Sequence, residues 1–247
     1  MRQINSFFQR TLLMCGLLIA VTQGVYAAEG GISLGRTRII FESTDKGQTL
    51  TMKNQGARPY LVQSAVVTTP DGRELAPFIT TPPLFRLEAS SQSAIRILRN
   101  GDSPLPIDRE SVFYFTAIAV PATGKPKEGE ESSMAARLSV GIQNTIKLFY
   151  RPVGLTMPAE EAEGRLTFQQ RNGNVQVNNP TPYYLTFSHL AFEGANVNVR
   201  DGVSMIAPFS QATYPVKGKV RQAQWSVIND YGGSSKLYKS AVQGGEV

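Results

Sequence analysis

The stretch "LSVGIQNTIKLFYRP", Leu138 to Pro152, decides how the rest of the chain is read. Leu138, Val140 and Ile142 alternate with Ser139, Gly141 and Gln143, the period of two that a strand with one apolar face requires. Lys147 then stands between Ile146 and Leu148, a charge inside the most strand-like segment of the sequence. Taken alone, such a lysine is the solvent side of an amphipathic strand. Whether it does more depends on the segments around it.

Working outward, strands continue on both sides. "TRIIFES", "QTLTMKN", "YLVQSAVVT", "SAIRILR" and "VFYFTAIAV" are short runs rich in β-branched and aromatic residues. "DKG", "NQGARP", "PDGRE", "TPP" and "NGDSP" separate them with turn chemistry. After "FYRPVGL" the rhythm resumes in "GRLTFQQRNG", "NVQVNNP", "YYLTFSHLAF", "NVNVR", "VSMIAPFS", "QATYPV" and "AQWSVIND". Turn signals every dozen residues or so predict an all-β chain of two β-sandwich domains. Only "MPAEEAEG" has room for a helical turn. The polar run from Ala122 to Met134 predicts a mobile loop.

The N-terminus has another purpose. Arg2 and Arg10 precede the apolar run Thr11 to Val21, and small residues follow at Val25 and Ala27. That order is the pattern of a cleaved secretory signal over 1–27. The domains then divide as 28–152 and 153–247. The lone Cys15 lies inside the signal, so the mature chain has no disulfide and no thiol for catalysis or metal ligation. The formal charge of +6 falls to +4 without Arg2 and Arg10, and the remaining cations form no basic block. Nucleic-acid binding is not expected.

Catalytic patterns are absent. His189 is the sole histidine, which argues against a transition-metal site, and no cofactor is expected. No phosphate-cradling glycine loop opens a helix. The carboxylates Glu130 and Glu131 fall in the polar loop, a poor support for acid–base geometry. The chain is not read as an enzyme.

"TRIIF", "PYLVQS", "TPPLFRL", "DRESVFYF", "IKLFYRP", "NPTPYYLTF" and "SVINDYGG" follow one another in the order found in PapD-like periplasmic chaperones of pilus assembly. The resemblance covers essentially the whole mature chain. It implies two immunoglobulin-like domains in a boomerang, with a cleft between them. The implied function is to stabilise pilin subunits in the periplasm of a Gram-negative bacterium by donating a β-strand to their incomplete fold. Delivery to an outer-membrane usher would follow. Leu138, Val140 and Ile142 match the donor strand. Arg38 and Lys147 match the pair that anchors the pilin's terminal carboxylate. Glu110, Arg151 and Asp230 match a salt-bridge set between the domains. The lack of paired cysteines beside the insertion resembles the short-loop type. Thr116, Ala117 and Ala65 depart from the usual residues at their positions. Thr81–Pro82 is a candidate cis peptide. Self-association of the free chain stays open, and a structural pilin or adhesin subunit is the alternative function.

Strand parity poses one problem. Strict alternation sets Lys147 on the face opposite Leu138, Val140 and Ile142. Either a bulge near Asn144 brings them together, or the anchor and the donated side chains use different faces.

Overall fold

The computed structural model describes residues 31–101, 103–122, 140–199 and 202–244. The proposed signal, nearly all of the polar insertion, and Leu138 lie outside the described residues. The first half folds into β1 (Ile32–Leu34), β2 (Arg38–Glu42), β3 (Gln48–Asn54), β4 (Tyr60–Val67) and β5 (Phe78–Thr81), then β6 (Leu84–Leu87), β7 (Ser91–Arg99), β8 (Ser111–Pro121) and β9 (Ile142–Arg151). One sheet runs β1-β3-β7-β5 and the other β2-β9-β8-β4-β6. Their inner faces enclose Phe41, Leu50, Met52, Ile95, Ile97, Phe115 and Leu148, all buried. The Thr81–Pro82 peptide is cis and separates β5 from β6.

The second half opens on a single helical turn, α1 (Ala159–Ala162). It continues with β10 (Thr167–Arg171), β11 (Asn174–Asn179), β12 (Leu185–Phe192), β13 (Ala195–Asn196) and β14 (Met205–Ile206). β15 (Ser210–Pro215), β16 (Gln222–Val227), β17 (Tyr238–Ala241) and β18 (Gln243–Gly244) complete it. One sheet runs β15-β11-β10-β18, and the other β13-β12-β16-β17 with β14 beside β12. Trp225 anchors this core, stacked on Tyr238 at 5.6 Å and donating its ring N–H to the Glu163 carbonyl at 2.9 Å. That bond spares the indole an unsatisfied polar group in an apolar interior. Each sandwich thus has its own core, as expected where the described residues contain no cysteine.

The segments "NVNVR" and "VSMIAPFS", read as strands from their alternation, add little beside β12: Asn196 from the first and Met205–Ile206 from the second, whose Ser210 opens β15. β12 shifts register against β16 between Phe187 and His189, and its other edge is shared: β13 pairs at its end and β14 at its start. Two neighbours divide one edge of β12, so neither runs its full length.

Candidate functional site: a cationic pair beside an open strand edge

β9 holds the centre of the site because it faces two environments at once. Ile146, Leu148 and Tyr150 turn toward the first core. Lys147, Phe149 and Arg151 turn toward the second sandwich: Lys147 to Thr186, Phe149 to Tyr184 at 5.9 Å, and Arg151 to Asp230. Pairing with β8 is continuous from Ile142↔Ala119 to Tyr150↔Ser111, with no register shift. There is therefore no bulge near Asn144, and Lys147 and Ile142 lie on opposite faces of the strand.

Pairing on the other side of β9 is incomplete. β2 runs parallel to it only from Arg38↔Lys147 to Glu42↔Arg151. Ile142 to Ile146 therefore have β8 on one side and, among the described residues, no strand on the other. Backbone donors and acceptors on such an edge are open to another chain. Ile142 is 38 % exposed and Val140 67 % exposed at the start of this open stretch.

The open edge begins where two cations stand. Arg38 and Lys147 occupy paired positions on neighbouring strands, and no carboxylate among the described residues forms an ion pair with either. Burial, followed by the nearby Arg38 charge, lowers the Lys147 ammonium from 10.5 to about 8. Burial also pulls the Arg38 guanidinium below its ordinary value, offset in part by Asp230 and Glu110. Arg38 donates from Nη1 to the Ile228 carbonyl at 2.8 Å, while its buried Nε has no partner. Two like charges held together with unused donors are poised to receive an anion, and a carboxylate suits the fork of arginine.

A triad of charges fastens the two sandwiches beside this pair. Arg151 donates from Nε to Glu110 at 2.8 Å and from both terminal nitrogens to Asp230 at 2.7 and 2.9 Å. Glu110 also accepts the Tyr184 N–H at 2.9 Å. Burial pushes the Glu110 carboxyl up, against the opposing pull of Arg151. Burial works to lower Arg151 as well, but its bonds to Asp230 and the charges of both acids outweigh it and hold the guanidinium above its usual value. A cavity of about 430 Å³ lies between the sandwiches, lined by Arg38, Glu110, Arg151 and Asp230 among others.

Comparison with known proteins places the chain in a family. Residues 31–156 match the family model described as the pili and flagellar-assembly chaperone, PapD N-terminal domain. Residues 161–239 match the pili assembly chaperone PapD, C-terminal domain. The chain belongs to the PapD-like pilus chaperones. It is 37 % identical over 225 residues to the probable fimbrial chaperone protein ElfD of Escherichia coli, covering 90 % of this chain and 91 % of that one. It is 32 % identical over 235 residues to the chaperone protein HifB of Haemophilus influenzae, covering 92 % and 95 %. Among solved structures, a chain of the Salmonella enterica SafA pilin in complex with the SafB chaperone superposes with a TM-score of 0.74 at 32 % identity, over 87 % of this chain and 98 % of that one. The E. coli chaperone DraB superposes at 0.72 and 35 %, over 87 % and 97 %. These likenesses do not favour reading the chain as a fibre subunit.

In this PapD-like chain, the contribution of the second domain to the cationic pair escaped sequence reasoning. Lys147 Nζ donates to the Thr186 hydroxyl at 3.4 Å, and the Ile228 N–H donates to the Thr186 carbonyl at 2.8 Å. One backbone pair of the second sandwich, Thr186 with Ile228, therefore holds both cations of the first. Thr186 and Ile228 lie in "NPTPYYLTF" and "SVINDYGG", but a threonine and a carbonyl carry no charge signal that composition reveals.

Proposed function

We propose that this chain is a periplasmic chaperone that receives pilin subunits whose immunoglobulin-like fold lacks a strand, shields them, and passes them to an outer-membrane usher. Residues 1–27 act as the cleaved signal, 28–152 form the domain that lends the strand, and 153–247 form the second wall of the cleft. The observation that carries the reading is the junction of the Arg38 and Lys147 pair, which has no carboxylate partner among the described residues, with the open edge of β9.

In this mechanism the pilin's terminal carboxylate seats on Arg38 and Lys147 and fixes the register of its last segment along Ile142 to Ile146. Main-chain bonds then extend the sheet, which is β-strand addition. Leu138, Val140 and Ile142 fill the pilin's apolar groove from the face opposite Lys147. Anchor and donated side chains need opposite faces because the carboxylate lies in the interdomain cleft while the groove lies against the other side of the strand. Each apolar side chain buried contributes roughly 1.5–3 kcal/mol, before the cost of association. The buried Asn144 Nδ2, which has no acceptor, is a further donor beside the vacant edge.

Co-expression with a candidate pilin tests the proposal. A one-to-one complex recoverable from the periplasm is expected, and amidation of the pilin's C-terminus should weaken it. A complex indifferent to amidation would remove the carboxylate anchor from the mechanism.

A further inference from the structure

Phe209 holds a backbone conformation that its side chain does not favour. Four non-glycine residues among those described have positive φ; Ser90, Asn172 and Glu193 are polar, and Phe209, at +52°, is the aromatic one. Bulky residues reach this region only when the surroundings over-determine it. The surroundings do so here. The Phe209 N–H donates to the Thr181 carbonyl at 3.2 Å, and Ser210 Oγ donates to the Ala207 carbonyl at 2.8 Å. The fully buried Asn179 donates to the Ala207 and Tyr183 carbonyls and accepts from Thr181. All this fixes a ring that remains 47 % exposed, so burial of the ring does not explain it.

The ring faces the other domain. The Arg109 guanidinium lies 5.0 Å from its centroid. Asp108 accepts from Arg109 Nε at 3.0 Å and Nη2 at 2.7 Å, which fixes the plane of the cation. Arg109 also precedes Glu110, whose carboxylate meets Arg151 and whose N–H donates to the Pro182 carbonyl at 2.9 Å. Two consecutive residues of the first domain thus grip the second in different ways, Glu110 by hydrogen bonds to the Pro182 and Tyr184 backbone and Arg109 through an aromatic face.

We infer that Phe209 is a positioning residue of the interdomain cleft, holding the second sandwich against Arg109 so that the cationic pair stays closed against Thr186. The strained backbone is tolerated because the turn that imposes it aims the ring across the domain junction. The inference concerns the angle between domains and stands whether or not a carboxylate is the ligand.

The test uses the full mature chain with ¹³C-labelled lysine and residual dipolar couplings, without any ligand. Phe209→Gly removes the ring and relieves the backbone together. It should leave the melting temperature unchanged or higher, yet alter the relative orientation of the two domains. Opening the cleft should rehydrate Lys147 and raise its pKa by about one unit toward the ordinary lysine value. Phe209→Tyr should retain both wild-type readouts. If Phe209→Gly fails to fold, Arg109→Ala breaks the same contact from an exposed position and should produce the same two changes. Wild-type orientation and wild-type Lys147 titration in the folded variants would overturn the inference.

Discussion

Lys147 stands directly across from Arg38 on the neighbouring parallel strand, and the two cations are steadied from the second domain by Thr186 and the Ile228 carbonyl. The chain thereby concentrates positive charge at the point where β2 begins and the edge of β9 is open. Repulsion between the cations and loss of hydration both disfavour their charged forms, and the countercharge of an incoming carboxylate would offset them.

Substituting either Lys147 or Arg38 with Ala should abolish most pilin capture. Removing one partner of a buried charge contact costs about 2–5 kcal/mol. Neither residue forms an ion pair within the described structure, so melting of the free chain should change little. A titration of capture against each variant checks this. In a double cycle, amidating the pilin terminus should cost much less against Lys147→Ala than against the unaltered chain, and strict additivity would argue against contact.

Capture should also depend on pH in a defined direction. Lys147 titrates near 8 in the free chain, and a bound carboxylate would raise that value. Binding then takes up a proton above that point, so affinity is full below pH 8 and falls as pH rises. Between pH 7 and pH 9 the loss should be about tenfold, measurable by calorimetry in buffers of different ionisation heat. The free chain behaves oppositely. Its depressed Lys147 binds fewer protons than the unfolded chain between about 8 and 10.5, so this residue adds stability as pH climbs through that window.

Ile142→Glu should leave a soluble chain with normal melting that fails to retain pilin. Ile142 is 38 % exposed at an open edge, so a carboxylate there stays hydrated until a partner covers it. Its side of β9 is also the side that Leu148 uses to enter the first core. A variant that misfolds in isolation would assign Ile142 to that core and defeat the donor role.

Arg151→Ala leaves Glu110 and Asp230 close together without their shared cation. The Glu110 side chain is only 2 % exposed and that of Asp230 37 %, so most of the cost falls on Glu110. Breaking a buried pair costs about 3–5 kcal/mol, and melting should drop accordingly at neutral pH. Protonating Glu110 removes its buried charge, so acidification should narrow the gap to the unaltered chain. Equal melting of both proteins at pH 7 would make the triad dispensable for stability.

Gly232→Ala should destabilise the junction although it adds one carbon. The residue has φ +86°, and a Cβ there would lie 2.2 Å from Thr37 Oγ1. The backbone alone costs on the order of 1 kcal/mol, and the clash displaces the segment that carries Arg38. Thermal melting together with pilin capture reads the two effects. Retention of both would mean that the turn yields freely.

The two sandwiches and the single helical turn in "MPAEEAEG" were legible because period-two apolar patterning and turn chemistry are local properties of the chain, and the family was legible through the resemblance of its ordered motifs. The charged residues of the cleft were legible only through resemblance, since Arg38, Glu110, Lys147, Arg151 and Asp230 are far apart in sequence. The brevity of β13 and β14 was not legible, because it follows from their sharing one edge of β12, a long-range pairing that alternation alone does not reveal.

The question of strand parity marks the division most clearly. The sequence by itself determined that Lys147 and Ile142 differ by an odd number of residues and so face opposite ways in any unbroken strand. It did not determine whether the strand is unbroken, nor that β2 begins only at Arg38 and leaves Ile142 to Ile146, among the described residues, with β8 on one side alone. Those were settled by tertiary pairing, in which β8 holds β9 in continuous register. The placement of Thr186 and Ile228 against both cations was likewise decided by the docking of one sandwich on the other. Local pattern specifies which side chains share a face, whereas long-range contacts decide what each face meets.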